Sequence, residues 1–190
     1  MAALNVLADA SEALLACVCE ALDDIPTTLP GMAGCPCRSG VVPGNEIAWD
    51  GCDTGCAPLD EGKWSGQLAV KTNRIFASDF GNFPREAAVV ADLNGCKATP
   101  VMAAELVVSV IRCAPIGDGQ CPPTVDELAA TARQQNVDMV AVRKGILCCL
   151  AGTDPTRPRG RRFSLGGSTT IGPQGGCVGF EQTVTVDLGY

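Results

Sequence analysis

Apolar residues recur at helical spacing from Asn5 to Leu22. Val6, Leu7, Ala10, Leu14, Leu15, Val18 and Leu22 share one face, and Asp9, Glu12, Glu20 and Asp23 supply the wet side. The pattern predicts a first helix, ended by Pro26 and Pro30 and followed by a loop to about Gly40. The same charges break the apolar stretch Leu4–Leu22, which reads as neither a signal h-region nor a membrane span. Cys17 and Cys19 lie two apart on this helix, so they point to different faces. Cys17 is expected in the core and Cys19 against a neighbouring element.

The pattern then changes to period two. A short strand is expected over Asn45–Trp49, then an Asp50-Gly51 turn and a loop from Cys52 to Gly62. Trp64–Phe76 is the first long strand, with Trp64, Leu68, Val70 and Phe76 on one face and Lys71, Asn73 and Ile75 on the other. Ser78–Pro84 reads as a turn. Pro100–Cys113 is the second long strand, setting Leu106, Val108 and Val110 against Glu105, Val107, Ser109 and Ile111. Strands with apolar residues on both faces call for cover on both sides.

Thr124 with Glu127 three residues on forms a capping box after Pro122-Pro123, and a long helix follows to about Leu150. Its predicted apolar face is Leu128, Ala132, Met139, Val142, Ile146 and Leu150. A helix this long braces a sheet or serves as a subunit contact. A short strand is expected at Phe163–Leu165, then a glycine-rich connection, Gly166–Gly176. The last strand, Phe180–Leu188, alternates Phe180, Gln182, Val184, Val186 and Leu188 with Glu181, Thr183, Thr185 and Asp187. No βα unit repeats, so the reading is a single α+β domain over 1–190. It has a largely antiparallel sheet, an N-terminal helix and a long second helix. Extended loops are expected near 23–44, 52–63, 114–123 and 153–177.

Composition sharpens this picture mainly by exclusion. The 190 residues include 12 cysteines and no histidine. The missing histidines remove His-based acid–base catalysis, Ser-His-Asp and Cys-His arrangements, and mixed Cys/His zinc sites. A net charge of −7 gives no support to broad, non-specific nucleic-acid binding. The chain starts at Met1 with no basic segment behind it, which points to synthesis in a reducing cytoplasm. Packed cysteines are then the expectation.

Three candidates for chemistry remain. Cys35, Cys37, Cys52 and Cys56 come from two short loops and offer four thiols for a tetrahedral zinc, although neither pair has the C-x-x-C spacing. The alternatives are disulfides formed after assembly into an extracellular particle, or simple packing. Cys148 and Cys149 are adjacent on a helix and diverge by about 100 degrees, which suits neither a vicinal disulfide nor a joint ligand role. Arg157, Arg159, Arg161 and Arg162, in RPRGRR, concentrate 4 of the 14 basic residues in six positions. They read as a mobile solvated loop or as a contact with an acidic partner subunit or passing DNA. Glycine pairs such as Gly166-Gly167 lack the context of a phosphate loop. No cofactor is expected, and no enzyme.

Taken together, several blocks resemble a known family. They are the N-terminal helix, CRSGVVPGNEIAWDGCD, GQLAVKTNRIFASDFGNFP, CKATPVMAAELVVSVIRCAPI, PPTVDELAATARQQNVDMVAVRKGILCC and GPQGGCVGFEQTVTVDL. In this order they resemble the head–tail joining and tail-completion proteins of actinobacterial tailed phages, and most of all the tail terminators. The resemblance implies a small α+β subunit in a hexameric ring that caps the major tail tube protein and stops its growth. The ring would present a surface to the head–tail connector or stopper, pass genomic DNA through its lumen, and need no membrane. It would reside at the tail–head junction of the virion after assembly in the host cytoplasm. The family has no catalytic residues to carry over. Another neck protein, such as a stopper or adaptor, and a zinc-stabilised binding module are the alternatives.

Overall fold

The computed structural model describes residues 5–44, 47, 64–88, 101–117, 121–151, 162–174 and 176–189. Helix α1 (Val6–Asp23) is followed by the short α2 (Ile25–Thr28) and strand β1 (Pro36–Val42). Strands β2 (Trp64–Ser78) and β3 (Val101–Cys113) precede helix α3 (Val125–Leu150), and β4 (Phe163–Gln174) and β5 (Cys177–Asp187) close the chain. The sheet order is β1-β2-β3-β5-β4; among the described strands only β1–β2 is parallel. The result is the expected single α+β domain with a largely antiparallel sheet. Among the described residues, no helix is long and apolar enough to cross a membrane.

α1 and α3 lie on one face of the sheet because that is where its alternation is apolar. Leu14, Val18 and Leu22 of α1 and Val142, Ile146 and Leu150 of α3 bury against Leu68, Val70, Leu106, Val108, Val110, Phe180 and Val184. Fully burying each such side chain stabilises the fold by about 1.5–3 kcal/mol. The opposite face is covered too: Ile47 packs with Ala69, Ile111 and Cys177. There Lys71 Nζ and Ser109 Oγ both donate to Glu181 Oε1, each at 2.9 Å, so the buried lysine keeps its charge paired.

Four expectations need correction. The loop predicted over 23–44 contains α2 and β1; β1 is held by its backbone ladder to β2, a tertiary cause that its own weak alternation does not carry. The β2 ladder to β3 shifts between Thr72 and Arg74. That extra residue moves Phe76 opposite Ala103, onto the face of Lys71, and Ile75 opposite Ala104, onto the helix side. The predicted short strand and glycine-rich loop are one twelve-residue strand, β4, laddered to β5, which itself begins at Cys177. On α3, Leu128 and Ala132 are exposed, and Asp138 is buried instead. The strand predicted at Asn45–Trp49 falls almost wholly outside the described residues.

Candidate functional site

α1 and α3 run antiparallel and meet most closely at Gly145. A Cβ there would lie 2.7 Å from Ala21 Cβ and 3.2 Å from the Cys17 carbonyl oxygen, so only glycine permits this approach. One turn further along α3, Cys149 is disulfide-bonded to Cys17. Cys19, on another face of α1, is bonded to Cys35 in the segment entering β1. The two cysteines of α1 therefore serve different neighbours, as their spacing requires, but as crosslinks and not as packed thiols. Cys148 and Cys149 do diverge: Cys149 is buried in its disulfide and Cys148 is exposed.

The zinc tetrad is corrected for its described half. Cys35 is bonded to Cys19, and Cys37 is also in a disulfide. A disulfide sulfur carries no thiolate to give to zinc. Cys52 and Cys56 lie outside the described residues. Cys19, Asp23 and Cys35 do come together, yet Asp23 Oδ1 is occupied in accepting the Cys35 N–H at 2.8 Å.

Of the four arginines, Arg157, Arg159 and Arg161 lie outside the described residues. Arg162 sits over the rings of Phe80 and Phe83, at 5.6 and 5.1 Å from their centroids, and donates to the Phe80 carbonyl. The turn carrying those rings is tightly made. Asp79 accepts from Gly81 N–H at 2.9 Å and Asn82 Nδ2 at 2.8 Å, and Asp79 N–H donates to Arg85 O at 3.0 Å. The Asn82 side chain and the Gly81 N–H hold the Asp79 carboxyl below its ordinary value.

At the other end of the sheet, Arg112 of β3 and Asp138 of α3 form a buried ion pair. Arg112 Nη2 also donates to Gly34 O at 2.6 Å, and Gln134 grips Ala33 through both its N–H and its carbonyl. Burial pushes the Asp138 carboxyl above its ordinary value, against the opposing pull of Arg112. The network ties the loop at 31–35, the end of β3 and α3 into one unit. Sequence reasoning missed it because an aspartate midway along a helix reads as a wet position.

Among the described residues, two open surfaces bear on partners. Along α1, α2 and α3 runs a groove of about 920 Å³, lined by Ala21, Ile25, Ala132, Val137 and Ala141 and, toward the end of α3, by Cys148 and Cys149. Glu20 and Asp24 stand on its α1 wall, Arg133 and Lys144 on its α3 wall. The second surface is β4, the sheet's last strand, exposed from Gly166 to Thr170 and without a charged residue anywhere from Phe163 to Gln174. No family model and no curated protein matches the chain.

Proposed function

We propose that this chain is a structural ring subunit of a tailed phage, placed as the tail terminator between the tail tube and the head connector. The observation that carries the assembly part of this reading is the β4 edge. A long, uncharged edge strand offers a row of backbone donors and acceptors to another chain; proteins that stay monomeric blunt such edges with charge, proline or bulges, and between its two register shifts β4 keeps the regular run Ser168–Ile171. Pro173 comes only at its end. Pairing with the next subunit satisfies that edge, and a head-to-tail contact repeated around an axis closes a ring. The block-by-block resemblance supplies the tail-terminator identity, and DNA crosses the lumen without being read. The subunit works by shape and contact, without an active site.

Native mass spectrometry tests the assembly. The wild-type chain forms a closed oligomer, with six copies expected, and Thr169→Lys on the β4 edge prevents it while leaving the circular-dichroism spectrum unchanged. A wild-type chain that stays monomeric is the result that contradicts the reading.

A further inference from the structure

Phe80 is 72% exposed, on a turn whose backbone is fixed at both ends by hydrogen bonds and whose ring is held by Arg162. The chain has only five phenylalanines, and this one gains nothing for its own core. A rigid, solvent-facing aromatic is the usual form of an interface anchor, because it loses little conformational freedom on docking. Arg162 sits over its ring, and Asp79, the residue before it, has the charge of Arg85 nearby.

The α1–α3 groove is the matching concavity. Its floor is apolar and built from small side chains, one wall is acidic (Glu20, Asp24) and the other basic (Arg133, Lys144). Phe80 is not among the residues that line it in its own molecule. One end of the groove, at Ile25 and Leu29, lies by the start of β2, where Asp23 holds Cys35 and Pro36 pairs with Trp64. The turn lies at the other end of β2, fifteen residues along the strand, roughly 45 Å away at the usual rise.

We infer that the occupant of the groove is a second copy of this chain: Phe80 of one subunit enters the α1–α3 groove of the next. Arg85 and Arg162 face Glu20 and Asp24 there, and Asp79 faces the basic wall. Knob and groove are different patches of one surface, so the contact is heterologous and propagates from copy to copy. This inference rests on the ring reading and names a contact that would seat each subunit on its neighbour, separate from the β4 edge.

The test places the photo-crosslinking residue p-benzoylphenylalanine at position 80 in a mixture of isotopically labelled and unlabelled chains. Crosslinks are expected between chains, onto 20–29 or 129–144, and are lost in the groove variant Val140→Asp. Phe80→Asp should raise the concentration for half-assembly by about 30-fold or more, the scale of a central aromatic anchor. Its melting temperature should stay unchanged. Crosslinks elsewhere, or an oligomer indifferent to Phe80→Asp, overturn the contact and leave the ring reading standing. A wild-type chain that is monomeric at every concentration overturns both.

Discussion

Arg112 at the end of β3 and Asp138 in the middle of α3 form a buried fork, Nε to Oδ2 at 2.9 Å and Nη2 to Oδ1 at 3.1 Å. Removing one side leaves the other charge buried and uncompensated, whereas replacing both with apolar groups removes the desolvation cost as well. Asp138→Ala should therefore cost about 3–5 kcal/mol, and Arg112→Met with Asp138→Leu should recover part of it, since the Gly34 carbonyl and Gln134 Nε2 then each lose a partner. Urea denaturation of the three proteins checks this. A double variant no more stable than Asp138→Ala contradicts it.

Gly145 sets how closely α1 and α3 pack. An alanine in a helix interior normally gains about 1 kcal/mol over glycine. Here its Cβ would meet Ala21 Cβ at 2.7 Å, and overpacking of this kind costs about 1–3 kcal/mol. Gly145→Ala should lower the melting temperature in spite of its helix propensity, and Gly145→Val should lower it further. A rise in melting temperature would show that the helices separate freely.

The two described disulfides close loops of very different length, with sequence separations of 132 and 16. Loop-closure entropy gives about 5 kcal/mol for the first and about 3 kcal/mol for the second. Cys17→Ser should thus destabilise the oxidised protein more than Cys19→Ser, and a reductant should erase the difference. Thermal unfolding with and without reductant reads both effects, and the reverse order would contradict the entropic account.

Much of this framework was legible in the chain. The period of α1 and the Thr124–Glu127 box announced both long helices, and the alternation of β3 and β5 announced the sheet. β4 was hidden because Gly166-Gly167-Ser168-Thr169-Thr170 has no apolar alternation; its strand state comes from the β5 ladder alone. The shift after Thr72 was hidden as well, since a bulge changes which face a residue meets without changing its type. The cysteine partners were unreadable for a different reason: one chain fixes neither pairing nor oxidation state. Of the candidate sites, the RPRGRR run makes Arg162 a candidate contact with a partner or DNA, while the exposed Phe80 beside it reads only as part of a turn.

The capping box gives a pH signature. Thr124 donates to Glu127 from its N–H and its hydroxyl, both at 2.8 Å, and these bonds hold the Glu127 carboxyl below its ordinary value. A lowered folded value means the native state binds the proton less tightly than the unfolded chain. Its stabilisation is present above the unfolded carboxylate range and is lost as pH falls through the folded value. Glu127→Gln should flatten that part of the stability–pH curve, and Thr124→Ala should cost about 1 kcal/mol near neutrality. An unchanged curve in Glu127→Gln would remove the side chain from the cap.

The central claim concerns place and assembly, and imaging, at side-chain detail, the tailed particle in which we propose this chain sits tests it most directly. The account predicts a closed ring of this subunit in direct contact with the last ring of the tail tube, β4 paired across subunits and DNA in the lumen. Finding the chain only on the portal side of the neck, or as isolated copies with β4 open to solvent, would contradict it.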